Sequence, residues 1–92
     1  MPEERKDETN TLLFTQLIIS FQAAALQNLG HSPSPVTGKT EANLELAKNS
    51  IDILGMLEDK TSGNLSEDES KLLQQSLTQL RMMYIEAINN PR

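Results

Sequence analysis

The segment from Lys60 to Ser66 constrains the fold more than any other part of this sequence. Lys60 suits the negative end of a helix dipole, and Gly63 can adopt the left-handed conformation that closes a helix. Ser66 and Glu69 fit the S-x-x-E capping box, in which each side chain satisfies a backbone amide at the start of a helix. A connection this short predicts that the two flanking helices are antiparallel neighbours.

Apolar residues recur at helical spacing on both sides of this turn. The second helix is predicted at about residues 40–61 with a wide apolar face, and the third at about residues 66–89 with apolar spacings of three and four. Thr40 is the predicted cap of the second helix, because its hydroxyl can accept a hydrogen bond from a first-turn amide. No alternating pattern typical of strands is present.

A further helix is predicted before this hairpin, at about residues 8–29. Gly30 can close it, and the prolines that follow cannot continue it. Residues 1–7 are predicted to be a flexible charged tail. We therefore expect an all-α fold of three helices in one domain covering residues 8–92, with the second and third helices forming an antiparallel hairpin.

The first helix is apolar on two opposite sides. The hairpin can cover one side, which includes Leu13 and Leu17, but the second side would then face solvent, which folded monomers rarely allow over a large patch. This second side consists of Leu12, Ile19, Ala23 and Leu26. We predict that the protein self-associates through it, as a symmetric dimer or a higher oligomer. The alternative is that the hairpin wraps around the first helix and covers both sides.

Composition excludes several functional classes. The net charge is -5, whereas a nucleic-acid-binding protein normally has a basic face and an anionic membrane attracts basic segments. The most apolar stretch, residues 12–29, contains too many amides and hydroxyls for a membrane-spanning helix. No signal-peptide pattern opens the sequence. We therefore expect a cytoplasmic protein that binds neither nucleic acid nor membrane.

Catalytic and metal-binding patterns are also missing from the sequence. It has no cysteine and one histidine, His31, which cannot form a zinc site alone. No nucleophile–base pair and no glycine-rich phosphate loop can be proposed from spacing. We expect no enzyme activity, cofactor or metal, unless a site is assembled between subunits. The alternatives to a structural or regulatory self-associating protein are an adaptor that docks an apolar face on another protein and a binder of small ligands inside the oligomer.

Arg81 is the most informative charged residue. Folding the hairpin about Gly63 brings Arg81 near Glu45, and we predict an ion pair between these two side chains. The alternative role of Arg81 is to bind an acidic partner.

Several short runs together carry a family resemblance. They are Asn43–Lys48, Ile51-Asp52, Leu54, Leu57, Lys60–Leu65, Leu80-Arg81 and Tyr84. With these runs, the chain from about Phe14 to Ala87 resembles a family of short bacterial proteins known as domain of unknown function 1844. The resemblance implies a small, mostly helical bacterial protein and no particular reaction. It draws attention to Asp52, Lys60, Asn64 and Arg81, whose roles the sequence leaves open between function and structure.

Overall fold

The computed structural model of this chain describes residues 2–31 and 33–90. These residues form three α-helices: α1 (Pro2–Asn28), α2 (Leu44–Lys60) and α3 (Glu67–Asn89). No strand occurs in these two ranges. Each helix contacts the other two, so the prediction of an all-α fold with three helices is confirmed. The predicted domain also included Ser32, Pro91 and Arg92, which lie outside the described residues.

Helix α1 begins earlier than predicted and ends where expected. It starts at Pro2 instead of near Glu8, so residues 2–7 belong to the helix and not to a tail. Proline is favourable at a first helical position, because its fixed φ is helical and its missing N–H is not needed there. At the other end, Gly30 has a φ of 87°. The N–H groups of Gly30 and His31 bond the carbonyls of Gln27 and Leu26, which is a Schellman motif.

The start of α2 corrects the predicted role of Thr40. The N-cap is Asn43, whose side chain accepts a hydrogen bond of 3.1 Å from the Leu46 N–H. Asn43 is held in place by a tertiary contact, because its own N–H donates to the carbonyl of Asn28 at 2.7 Å. Thr40 lies in the non-helical segment before this point. The contact with the end of α1 therefore selects the cap, and a pattern of single residues does not reveal it.

The turn between α2 and α3 contains the local features that stop and restart a helix. Thr61 caps α2, and both its N–H and its hydroxyl donate to the Leu57 carbonyl. Gly63 has a φ of 81°. Ser66 and Glu69 form both hydrogen bonds of a capping box, at 2.7 Å and 3.2 Å. The bond from the Ser66 N–H to the Glu69 carboxylate is the main reason that the pKa of Glu69 is lowered from its ordinary value.

The core lies where the three helices meet. It is formed by small and medium-sized aliphatic residues of all three helices and by Leu29, which directly follows α1: Ile18, Ala25, Leu29, Ala47, Ile51, Leu54, Leu73, Leu77 and Leu80. A polar contact also joins α1 to α3, because the Ser76 hydroxyl donates to the Gln22 side chain at 3.4 Å. The completely buried Ile18 and Ala25 mark the side of α1 that faces the interior.

Candidate interaction surface

The side of α1 opposite the core is apolar and open to solvent. Leu12 is 58% exposed, Leu13 is 55% exposed and Ile19 is 53% exposed, and Ala23 is also exposed. Large aliphatic side chains on one helix of a folded protein are usually covered when they form a continuous patch. The exposed side chains of α1 between Leu12 and Ala23 are together called the α1 face below.

The structure changes two details of the predicted surface. Leu26 is half-buried and packs against the core, so it lies at the edge of the α1 face and is not fully open. Leu13 and Leu17 were expected on the side that the hairpin covers, but they are exposed. The reason is that α2 and α3 cover only the sector of α1 around Ile18 and Ala25, which are completely buried.

The α1 face is also uncharged. From Thr9 to Gly38 the sequence contains no Asp, Glu, Lys or Arg, although a helix exposed to water usually has charged residues on its outer face. The exposed hydroxyl of Ser20 is already satisfied, because Oγ donates to the Gln16 carbonyl within the helix at 2.8 Å. A helix with these properties has little to gain from contact with water.

Length and composition make part of α1 comparable to a membrane-spanning helix. The stretch Glu8–Asn28 is long and apolar enough to cross a bilayer, and 11% of its apolar window is buried in the fold. A signal sequence or the core helix of a soluble protein passes the same test. The α1 face differs from a lipid-facing surface in one respect, since it includes the exposed side chain of Gln16 and lipid offers an amide no hydrogen-bond partner.

The predicted ion pair between Glu45 and Arg81 does not form. In the described part of the chain, the ion pairs are Lys48–Asp52 at 2.7 Å and Lys71–Glu67 at 3.4 Å. The prediction assumed that the chain folds back symmetrically about Gly63. The helix ends are nearly symmetric about Gly63, since α2 ends at Lys60 and α3 begins at Glu67. Arg81 nevertheless lies beside Gly55, so counting residues outward from the turn does not give the residues that face each other.

Gly55 makes room for the Arg81 side chain. A Cβ atom added at Gly55 would lie 3.0 Å from Arg81 Nη2, which is closer than an ordinary van der Waals contact. Helical periodicity alone does not predict this contact, because a glycine inside a helix has many explanations. Predicting the contact would have required knowing which residue of α3 lies opposite Gly55, so that the glycine could be matched with the long side chain of Arg81.

Arg81 lines a shallow groove of about 260 Å³ between α2 and α3. The groove also contains the ion pair of Lys48 and Asp52 and the side chains of Tyr84 and Ile85. Lys48 has its pKa raised, first by the hydrogen bond to Asp52 and then by the negative charge of that carboxylate. Both members of the pair are exposed, so the pair contributes little to stability.

The remaining residues that the sequence singled out lie apart from this groove. Lys60 is in the last turn of α2 and is exposed. Asn64 is in the turn, where its N–H donates to the Thr61 carbonyl at 2.9 Å, and it borders a hollow next to Thr11 and Phe14. Asp52, Lys60, Asn64 and Arg81 therefore do not form one site. No group of three metal-binding side chains was found among the residues that the structure describes.

Comparison with known proteins gives a family and nothing more specific. Searches of curated proteins and of solved structures give no match to this chain. The family described as Domain of unknown function (DUF1844) matches residues 11–86. This region includes the whole α1 face, both connections and nearly all of α3. Because the match covers most of the chain, the protein belongs to this family of domains of unknown function.

Proposed function

We propose that this protein is a small non-catalytic helical protein that assembles with copies of itself through the α1 face, in a structural or regulatory role in the cytoplasm. The observation that carries the proposal is the exposed, uncharged aliphatic surface of α1. A surface of this kind is typical of a protein interface. A second copy of the chain presents the same surface, so a symmetric pair covers both surfaces at once.

The magnitude of burial supports a reversible assembly. Leu12, Leu13 and Ile19 are each slightly more than half exposed. Covering them contributes roughly 0.8 to 1.5 kcal/mol for each side chain. In a pair of chains this amounts to about 5 to 9 kcal/mol, which is opposed by an association cost of about 4 kcal/mol or more. We therefore expect an oligomer whose population depends on protein concentration.

In the proposed protomer, α2 and α3 form an antiparallel hairpin that supports α1. Two groups of lining residues favour this orientation. Near the turn, Glu58 of α2 and Ser70 of α3 line one hollow. Farther from the turn, Ile51 of α2 and Tyr84 of α3 line the groove described above. Residues earlier in α2 thus lie beside residues later in α3, as an antiparallel pair requires.

The decisive experiment compares two charge substitutions of equal size. Ile19→Glu places a carboxylate in the α1 face, whereas Met82→Glu places one at a similarly exposed apolar residue of α3, where Met82 is 59% exposed. We expect Ile19→Glu to be monomeric by light scattering and Met82→Glu to retain the oligomeric mass of the unchanged protein. Circular dichroism checks that both variants stay helical.

Two results would contradict the proposal. One is that both variants keep the mass of the unchanged protein, which would place the interface elsewhere. The other is that the unchanged protein is monomeric and sediments with phosphatidylcholine–phosphatidylglycerol vesicles, while Ile19→Glu does not. That second result would assign the α1 face to a membrane.

A second candidate function is an adaptor for an acidic partner at the groove between α2 and α3. The observation that favours it is that Arg81, beside Gly55, has no ion-pair partner among the described residues. A guanidinium group next to Tyr84 and Ile85 is suited to a carboxylate with a neighbouring apolar group. Titration with a short Glu- and Leu-containing peptide should shift the NMR signals of Tyr84 in the unchanged protein but not in Arg81→Ala. Equal shifts in both proteins would exclude this role for Arg81.

A further inference from the structure

The α1 face has the spacing of a coiled-coil seam. The positions that would face a partner helix are spaced alternately four and three residues apart. They are Leu12, Gln16, Ile19, Ala23 and Leu26. In heptad terms, the d positions are the aliphatic residues Leu12, Ile19 and Leu26, and the a positions are Gln16 and Ala23. The structure places the first four of these residues in solvent and Leu26 at the edge, so the seam is available to a second copy.

We infer that two copies of α1 pair parallel and in register, with Gln16 opposite the same residue of the other copy. This inference rests on the proposed self-association through the α1 face. It adds the orientation of the two chains and assigns to Gln16 the role of selecting it.

The side-chain amide of Gln16 is the reason for this orientation. In a parallel, in-register pair, a positions face a positions, so the two Gln16 amides meet and each can donate to and accept from the other. In an antiparallel pair, a positions face d positions, and every d position of this seam is aliphatic. The amide of Gln16 would then be covered without a partner, which would weaken the antiparallel pair by about tenfold or more.

The neighbouring residues are compatible with the parallel arrangement. Ala23 is the other a position, and two alanines facing each other let the helix backbones approach closely. Ser20 lies beside the seam, and its hydroxyl is already bonded within its own helix at 2.8 Å. Within the seam, Gln16 is therefore the one side chain that needs a hydrogen-bond partner from the other copy.

Because the sequence has no cysteine, single cysteines report the orientation directly. Leu12→Cys and Ala23→Cys are made separately, oxidised under mild conditions and analysed by mass spectrometry. A parallel, in-register pair brings each cysteine opposite its own copy, so both variants should form covalent homodimers at least tenfold faster than the control Met82→Cys. Mixing the two variants should give little of the mixed dimer.

The outcomes separate the orientation from the assembly itself. If the protein is oligomeric by light scattering, but the mixed dimer dominates and neither variant crosslinks with itself, the helices are antiparallel and only this inference fails. If the unchanged protein is monomeric at every concentration, self-association fails as well.

The role of Gln16 is tested separately by Gln16→Leu in the two cysteine backgrounds. Removing the amide should strengthen association by about tenfold and allow both orientations, so that mixed dimers appear beside homodimers. Gln16→Asn should keep the homodimers. If Gln16→Leu leaves the pattern of crosslinks unchanged, Gln16 does not select the orientation.

Discussion

Replacing Gly55 by alanine should stabilise this protein, although glycine is the residue that leaves room for Arg81. A glycine inside a helix is less favourable than alanine by about 0.8 to 1.0 kcal/mol. The new Cβ atom would lie 3.0 Å from Arg81 Nη2, so the guanidinium group has to move by about 0.5 to 1 Å to reach an ordinary contact. This atom is at the end of a flexible, exposed side chain. A small change in the torsion angles of Arg81 makes the room and costs about a few tenths of a kcal/mol.

The net gain from Gly55→Ala is therefore about 0.4 to 0.8 kcal/mol, which raises the melting temperature of a domain of this size by roughly 2 to 6 °C. Thermal unfolding followed by circular dichroism, at one fixed protein concentration, measures the change. Gly63→Ala is the matched control, because Gly63 has a φ of 81°. Alanine is strained in that conformation, and the same substitution should lower stability by about 1 kcal/mol.

The role of Arg81 is tested by repeating the substitution in an Arg81→Ala background. With the long side chain removed, Gly55→Ala should give the full helix-propensity gain of about 1 kcal/mol. An equal gain in both backgrounds would show that Arg81 does not lie beside Gly55. A lowered melting temperature for Gly55→Ala would refute the reasoning more broadly, because it would require a rigid neighbour where the structure has the end of a flexible side chain.

Three further predictions concern the helix caps. Asn43→Ala should lower the free energy of unfolding by about 0.5 to 2 kcal/mol, whereas Thr40→Ala should change it by no more than about 0.5 kcal/mol; urea unfolding distinguishes them. Ser66→Ala should cost about 1 kcal/mol by the same measurement, because the Glu69 N–H loses its partner. The pKa of Glu69 is lowered in the folded state, so its stabilising contribution is present above its unfolded-state pKa and is lost as the pH falls through its folded-state pKa. Glu69→Gln should therefore reduce the acid-range slope of stability against pH, and an unchanged slope would contradict this assignment.

Local signals in the sequence predicted most of the secondary structure. The end of α1 at Gly30 and the turn with Ser66 and Glu69 depend on residues within a few positions of each other, so the sequence contains the information needed to place them. The cap of α2 could not be placed in this way. Thr40 and Asn43 are both acceptable cap residues, and the choice between them depends on the hydrogen bond from Asn43 to the end of α1.

Features that depend on register were harder to predict. The expected pair of Glu45 and Arg81 came from counting residues outward from Gly63, whereas Arg81 lies beside Gly55. Periodicity placed Leu12 and Ile19 on a second apolar side of α1, and the structure finds both exposed. Periodicity did not show how narrow the covered sector is, because that depends on how α2 and α3 pack against the helix. For the same reason, the exposure of Leu13 was missed.

The central claim is that the protein assembles with itself through α1. Light scattering coupled to size-exclusion chromatography, across micromolar to millimolar concentrations, tests it most directly. The chain has a mass of 10.2 kDa. We predict a mass that rises with concentration to at least twice that of the single chain, and an Ile19→Glu variant that stays at 10.2 kDa throughout. A mass of 10.2 kDa for the unchanged protein at every concentration would contradict the claim.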